Sequence, residues 1–267
     1  MAEIVVLLKP ALNPGMIKAD AQGNLLIDSI PLKLSDIDRN AVQLASDIKS
    51  SIGADKVIGI AVLTWGPVAK RMKDAESSLR EALAMGVDEV HLLADDKLIP
   101  GDQSTTAVAL KALLDKLGVN PKLIIAGEAT VDGFTGQVPG RLAELLGLPY
   151  ISFAKKVEIN GDKITAERDL EDFAEKVEAN LPAVISVTRE INTPRLPTLI
   201  QIRRAFKKPL TKYTLGDLGL ELSSISNILE AKVLAVQRKQ VIIEGDSLEE
   251  IADKLLEALV NEGAIKL

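Results

Sequence analysis

The strongest constraint on the fold is a regular alternation of short apolar runs with segments of helical spacing. Each run is apolar on both faces, as expected of a strand buried on both sides, and each is followed by the periodicity of an amphipathic helix. This rhythm predicts a doubly wound α/β domain, in which a mainly parallel sheet carries helices on both faces. The predicted strands are Ile4–Leu8, Lys56–Trp65, Asp88–Ala94 and Lys122–Gly127. The predicted helices run from Ser35 or Asp36 to about Ile52, over Val68–Met85, from Asp102 or Ser104 to Leu117, and up to Leu146.

The pattern changes in the second half of the chain. Ile151–Ile159 and Lys163–Arg168 are separated by an Asn-Gly-Asp turn and predict a β-hairpin. Ala183–Val187 is again a continuous apolar run, and it predicts one more buried strand. The hairpin is therefore predicted to be an insertion before the last strand of the sheet.

The C-terminal part of the chain is predicted to be an arm. Ser247 opens a Ser-Leu-Glu-Glu sequence with the spacing of a capping box, so a helix should run from there to about Asn261 with an apolar stripe. A short strand over Val241–Ile243 is predicted before it. We therefore divide the chain into an α/β domain, residues 1–215, and a C-terminal arm, residues 216–267, which needs a surface on which to bury its stripe.

The composition excludes several classes of function. The 267 residues contain no cysteine, which excludes disulfides, thiolate zinc sites and a cysteine nucleophile. The one histidine, His91, excludes a multi-histidine metal site, and we expect no Ser-His-Asp triad. We predict no catalytic and no metal-ligating residue, and a passive place for His91 on its strand. No apolar run reaches the roughly 18 residues of a membrane span, and MAEIVVLLKP has an acid, Glu3, where a signal peptide needs its basic start. We therefore expect a cytoplasmic protein without membrane insertion.

A basic stretch between Arg195 and Lys212 contains six bases and no acid, although the whole chain has a net charge of −6. Its one aromatic residue is Phe206, which is too little for the stacking that single-stranded nucleic acids require. We therefore predict no nucleic-acid binding, and either a solvated loop or a face presented to an acidic protein. Apolar residues lie beside these bases, and they either form an exposed knob or, for the two isoleucines, fold back onto the core. They are Leu196, Leu199, Ile200 and Ile202.

Ligands of an open parallel sheet bind at the carboxyl ends of its strands, which directs attention to the loops that follow the predicted strands. These loops are Leu8–Pro14, Thr64–Pro67, Asp95–Ser104 and Gly127–Gly140. The last contains four glycines and enters a helix, so Thr135 or Gly136 at the helix N-terminus would favour a phosphate. It matches neither the P-loop nor the Gly-x-Gly-x-x-Gly fingerprint, and an ordinary strand-to-helix loop is the alternative.

Four segments, in the same order, resemble the β subunit of electron transfer flavoproteins, and the resemblance covers residues 1–215. The most specific is the sequence Val187–Arg195, with its Asn-Thr-Pro-Arg turn, followed by Ile202–Pro209, with its Ala-x-Lys-Lys-Pro end. Weaker matches are Leu79–Asp88 and the phosphate-loop sequence Asp132–Gln137 with the Leu-Pro-terminated helix after it.

The resemblance implies a Rossmann-like, adenine-nucleotide-binding topology and a heterodimer with an α subunit that holds most of the FAD. Such proteins carry electrons from an acyl-CoA or other dehydrogenase to a quinone oxidoreductase or another acceptor. The β subunit itself holds an adenine nucleotide, which is AMP in simple carriers and a second FAD in electron-bifurcating members. A carrier of this kind needs a positioned cofactor and a docking surface rather than its own acid–base pair, which agrees with the composition.

The resemblance also assigns residues. The nucleotide-binding residues are Leu7, Leu8, Lys9, Ser35, Asp36, Asp38, Trp65, Gly66, Gly127, Asp132, Gly133, Thr135, Gly136 and Gln137. The partner-binding residues are Arg195, Leu196, Leu199 and Ile200, with Leu199 as the exposed anchor. The chain departs from the family at Pro14, at Ser35-Asp36, at Trp65 and at Phe134, and these departures leave AMP and FAD open.

Two other classes share the α/β architecture. One is a free-standing nucleotide-binding regulator of the universal-stress type, which lacks a segment like Arg189–Pro209. The other is a nucleotide-dependent enzyme of the related α-hydrolase group, which requires a Ser-Gly-Gly-x-Asp loop after the first strand, where this chain has Leu8-Lys9-Pro10-Ala11. Both features favour the electron carrier.

Overall fold

The computed structural model describes residues 3–234 and 239–266, and it divides the chain into two compact units, Met1–Ala231 and Lys232–Leu267. Residues 216–231, which the sequence analysis assigns to the arm, therefore lie in the first unit. The reason is apolar packing, because Leu215 is buried and the leucines that follow it pack against the core of that unit. The predicted boundary at residue 215 lies where the last strand ends, before this packing is complete.

The first unit is built on a nine-stranded sheet with the order β11-β5-β4-β1-β6-β10-β7-β8-β9. β1, β4, β5, β6, β10 and β11 pair in parallel, β7 joins β10 in parallel, and β8 and β9 extend the sheet antiparallel. β2 and β3 form a separate two-stranded ribbon. The bounds are β1 (Glu3–Leu8), β2 (Pro10–Leu12), β3 (Leu32–Leu34), β4 (Lys56–Leu63), β5 (Glu89–Ala94), β6 (Pro121–Gly127), β7 (Tyr150–Asn160), β8 (Lys163–Leu170), β9 (Phe173–Asn180), β10 (Ala183–Val187) and β11 (Leu210–Tyr213).

Helices cover both faces of the parallel part of the sheet. Alternate residues of β1 point to opposite faces, so Ile4 and Val6 join the core beneath the first two helices, whereas Val5 joins the core beneath the next two. The helices are α1 (Asp36–Ile48), α2 (Val68–Met85), α3 (Gln103–Leu117), α4 (Val138–Leu146), α5 (Leu199–Ala205) and, in the second unit, α6 (Leu248–Asn261). The predicted doubly wound α/β fold is confirmed. Within the described residues, no helix is both long and apolar enough to cross a membrane.

Two strands of the nine-stranded sheet, β9 and β11, were not predicted from the sequence. β9 makes the predicted hairpin three-stranded, and its charged residues are explained by the partner strand, since Arg168 on β8 lies opposite Glu175 and binds it over 2.7 Å. Charged pairs across the two strands, rather than buried apolar residues, therefore stabilise β9 as a strand. β11 has only four residues and adds to β5 at the edge of the sheet, beside Pro209, so it shows no period of its own.

The second unit contains α6, whose helix and N-cap are predicted correctly. The Ser247 side chain accepts a hydrogen bond from the Glu250 N–H over 3.2 Å. The box is incomplete, however, because the Glu250 carboxylate accepts from the Asp246 N–H rather than from that of Ser247. The predicted strand over Val241–Ile243 is wrong, since these residues are described without strand pairing. A three-residue apolar run carries too little information to establish a strand when no neighbouring strand pairs with it.

Candidate functional site

A cavity of about 350 Å³ lies at the point where the strand order reverses. β1 stands between β4 and β6, so the carboxyl ends of these three strands meet in one crevice, which is the usual ligand position in an open α/β sheet. The first turns of α3 and α4 complete the walls. Most of the residues that the sequence predicts for the site line this cavity, namely Leu7, Leu8, Lys9, Asp38, Trp65, Gly127, Asp132, Gly133, Thr135, Gly136 and Gln137.

Three predicted residues, Ser35, Asp36 and Gly66, do not line the cavity. Ser35 is the buried N-cap of α1. Asp36 and Asp38 are two positions apart on a helix and therefore point to different sides, so that Asp36 forms ion pairs with neighbouring bases while Asp38 faces the cavity. Gly66 lies beside Asp96 of the next loop instead.

Asp132 is the centre of the polar network in the cavity wall. Its Oδ1 accepts from the Lys9 ammonium over 2.8 Å, and its Oδ2 accepts from the Trp65 indole N–H over 2.6 Å and from the Leu12 N–H over 3.2 Å. Lys9 also donates to the Thr130 hydroxyl over 3.3 Å. Burial raises the pKa of Asp132, but the Lys9 charge and these hydrogen bonds outweigh burial and lower that pKa overall. An ionised Asp132 therefore ties the loops after β1, β4 and β6 together.

Asp38 is a second buried acid in the cavity, and only 3% of its surface is exposed. Its Oδ2 accepts the Lys9 backbone N–H over 2.7 Å. Burial raises its pKa to about 8, because few groups compensate the charged form. Gly127 leaves room for this side chain, since a Cβ at that position would stand 3.0 Å from Asp38 Oδ1.

The loop between β6 and α4 presents backbone rather than side-chain charge to the cavity. α4 begins at Val138 with Gln137 as N-cap, so Thr135 and Gly136 precede the helix instead of occupying its N-terminus as predicted. Gly136 has a φ of +63°, which ends the loop in a left-handed turn. Among the described residues, no hydrogen-bond acceptor is recorded for the backbone N–H groups of Gly136, Gln137 and Val138, and all three residues line the cavity. These groups and the helix dipole suit an anion.

The comparisons with known proteins agree with this geometry. Residues 24–218 match the family described as the electron transfer flavoprotein domain. The chain belongs to the electron transfer flavoprotein family. It is 37% identical over 228 residues to the electron transfer flavoprotein subunit beta of Mycobacterium tuberculosis, with 84% of each chain covered. It is 32% identical over 265 residues to the subunit beta of Thermoanaerobacterium thermosaccharolyticum, which covers 96% of this chain and 97% of the relative. Membership of this family decides against the universal-stress alternative.

Several residues that line the cavity were not predicted from the sequence. The start of α3 contributes Asp102, Gln103 and Thr106, of which the first two lie in a loop that was expected at the ligand edge. Ile228 had no local signal, because it reaches the cavity through a non-local contact. Asp102 Oδ2 accepts from both the Ser224 hydroxyl and the Ile225 N–H over 2.8 Å, which holds that segment against the cavity.

The segment over residues 195–202, for which the sequence predicts partner binding and which is called the docking loop below, has exposed apolar side chains. Leu196 and Leu199 are 89% and 79% exposed, and Ile200 is exposed as well, so it does not fold back onto the core. Prolines and the short helix α5 shape the loop, and α5 begins with a complete capping box between Thr198 and Gln201. This helix was not predicted, because seven residues are too few to show a helical period.

Two side chains of α1 hold this loop in place. Asn40, which is buried, donates to the Arg189 and Asn192 carbonyl oxygens over 3.0 and 2.8 Å, and the Asn192 amide donates back to the Asn40 carbonyl over 3.0 Å. Gln43 accepts the Arg195 N–H over 3.1 Å. The backbone next to the exposed leucines is therefore held against α1.

The six bases of the basic stretch fall into two groups, those bound to other parts of the domain and those exposed beside the leucines. Lys208 donates to the Leu83 and Val87 carbonyl oxygens over 2.9 and 2.6 Å and so binds the end of α2. Lys212 pairs with Glu76 over 2.7 Å. The exposed bases beside the leucines are therefore fewer than the sequence suggests, and they are Arg195, Arg203, Arg204 and Lys207.

Proposed function

We propose that the chain is the β subunit of a heterodimeric electron transfer flavoprotein, that it pairs with an α subunit carrying FAD, and that it holds an adenine nucleotide in the cavity at the end of β1. The observation that carries the proposal is the convergence of the β1, β4 and β6 loops on Asp132, beside the unpaired amides at the start of α4. Because the charges of Lys9 and Asp132 neutralise each other, the backbone amides at the start of α4 are the groups that would bind the phosphate.

The dimensions of the cavity favour AMP over a second FAD. Small-molecule sites span roughly 300–1,000 Å³. The cavity, at about 350 Å³, lies at the low end of that range, which suits a mononucleotide. Trp65 supports this choice, because its indole is fixed to Asp132 and stands in the wall where a smaller side chain would leave space.

The docking loop supports a role in electron delivery from a dehydrogenase, with a quinone oxidoreductase or another acceptor receiving the electrons. Exposed apolar side chains ringed by bases suit an interface with an acidic partner, and a loop fixed by Asn40 and Gln43 loses little conformational freedom on binding.

The second unit supports the role of an arm that contacts the α subunit. α6 buries none of its residues, and its apolar stripe includes the exposed Leu248 and Leu255. A helix of about 15 residues is marginal alone in water, so such a stripe requires a partner surface.

Co-expression with the α subunit of the same organism tests this proposal. The full chain is expected to yield a stable complex with flavin absorption in the visible range and AMP among the acid-released ligands, whereas a chain ending at Ala231 should fail to retain α. Far-UV circular dichroism of the truncated chain checks that the first unit remains folded. A complex without flavin absorption would contradict the proposed function, and equally tight retention of α by the truncated chain would contradict the role of the arm alone.

Leu199→Ala is expected to weaken electron transfer from the partner dehydrogenase without changing flavin content or thermal stability. Truncation of a desolvated anchor costs about 2 kcal/mol or more, which raises the KM for the partner roughly thirtyfold. Phe173→Ala, at another exposed apolar residue at the start of β9, is the matched control and should behave as wild type. If Leu199→Ala lowers the melting temperature but leaves the KM unchanged, the residue serves folding rather than docking.

A further inference from the structure

The Asp38 carboxyl group faces the cavity, and among the described residues it forms no ion pair and donates no hydrogen bond. It is almost fully buried, and its Oδ2 is bound by the Lys9 backbone N–H over 2.7 Å. Among the described residues no hydrogen bond is recorded for Oδ1, which stands beside Gly127 in the cavity wall. One polar atom of a buried acid is therefore available to a ligand.

The surroundings of Asp38 disfavour its ionised form. The charged groups that act on it are Lys9 at the end of β1, Asp132 in the loop after β6 and, least of the three, Asp36, which points to another side of the same helix. The Lys9 ammonium is already paired with Asp132 over 2.8 Å, so an ionised Asp38 would make two carboxylates share one cation. A buried carboxylate with a single hydrogen bond and no cation is costly to ionise.

We propose that Asp38 binds the nucleotide as a neutral carboxylic acid and donates its proton in a hydrogen bond to a lone-pair acceptor of the ligand. A neutral acid has one O–H donor, whereas the carboxylate can only accept. The acceptor is either a ring nitrogen of the base or a phosphate oxygen, and both offer the same chemistry to Asp38. This inference rests on the nucleotide site proposed above.

The pH dependence of binding distinguishes this role from the opposite one. The pKa of Asp38, raised by burial to about 8, places the loss of the proton within reach of a titration. If the acid donates, nucleotide affinity is full below that pH and falls about tenfold per pH unit above it. A carboxylate that accepts from ribose hydroxyls would instead make binding stronger as the pH rises.

The test is a calorimetric titration of the full-length chain with AMP and with adenosine between pH 7.0 and 9.5, above the second ionisation of the phosphate, near pH 6. Wild type is expected to lose AMP affinity above pH 8. Asp38→Asn keeps a donor of the same shape, so it should bind AMP with little change in affinity across this range. Asp36→Asn, on the same turn of α1 but outside the cavity, is the matched control. It should keep the decline in affinity, with the midpoint moved slightly to lower pH because the Asp36 charge raises the pKa of Asp38.

Each outcome has a separate meaning. A pH profile that persists for adenosine identifies the base as the acceptor, and a profile that is lost for adenosine identifies the phosphate. Wild-type affinity that stays constant or rises up to pH 9.5, or an unchanged decline in Asp38→Asn, overturns the inference and leaves the nucleotide site standing. No binding of AMP by wild type at any pH would overturn the nucleotide site itself, and this inference with it. Fluorescence of Trp65, the one tryptophan of the chain, reports whether each variant keeps the wall of the cavity intact.

Discussion

Replacement of Gly136 by valine is expected to remove the nucleotide from the purified protein. Gly136 has a φ of +63°, and a Cβ there would stand 3.2 Å from the Glu128 carbonyl oxygen. A β-branched side chain therefore displaces the loop that carries the amides for the phosphate, and it also occupies space in the cavity. We expect the acid-released nucleotide per chain, measured by chromatography, to fall about tenfold or more, which corresponds to roughly 1.4 kcal/mol or more of binding free energy.

Gly147→Val separates this effect from backbone strain. Gly147 has a similar φ of +66°, but among the described residues no atom beyond its own chain neighbours and helix backbone lies within 4 Å of its Cβ position. It also ends α4 instead of preceding it. Both variants should lose similar stability from left-handed strain, about 1–2 kcal/mol, but only Gly136→Val should lose nucleotide. Equal nucleotide content in the two variants would show that the loop does not hold the phosphate.

Lys9→Met is expected to cause a large loss of stability. It leaves the Asp132 carboxylate buried without its cation, and removal of one partner of a buried ion pair costs about 3–5 kcal/mol. The measurement is urea unfolding at pH 7, followed by far-UV circular dichroism. Lys70→Met is the control, because Lys70 pairs with Asp28 on the exposed surface over 3.3 Å and should cost less than about 1 kcal/mol.

The same ion pair predicts a change in acid stability. The folded-state pKa of Asp132 is lowered despite burial, so the stabilisation is present above the ordinary carboxyl pKa and is lost as the pH falls through the folded-state value. Lys9→Met removes the main cause of this shift, so the stability of the variant should depend less on pH in the acid range than that of wild type. If Lys9→Met lowers the free energy of unfolding at pH 7 no more than Lys70→Met does, the hydrogen bonds from Trp65 and Leu12 are enough by themselves to stabilise the Asp132 carboxylate.

The layers of the fold follow from local patterns in the sequence. A strand buried on both faces must be apolar throughout, and a helix on a sheet must be apolar on one side, so the alternation in the first 150 residues leaves little choice of architecture. Caps are local as well, which is why Ser247 marks the start of α6 correctly. The carboxyl-end loops follow in turn, because a parallel sheet places all of them at one edge.

The arrangement within the site depends on contacts between residues that are distant in the chain. Periodicity does not state that β1 lies between β4 and β6, and this order is what brings Lys9, Trp65 and Asp132 together. The direction of a side chain is decided in the same way, since Asp36 and Asp38 look equivalent in the sequence but only Asp38 reaches the cavity.

The sequence by itself determined the α/β layers, the capped helices and the edge of the sheet at which a ligand binds, because these depend on which residues must be buried and on hydrogen bonds within a few positions. Only the tertiary structure decided that Ile228 closes the cavity, that Lys208 belongs to the end of α2, and that β9 is a strand at all. Each of these depends on pairing or packing across many residues, and such contacts leave no periodic trace in the segments that make them.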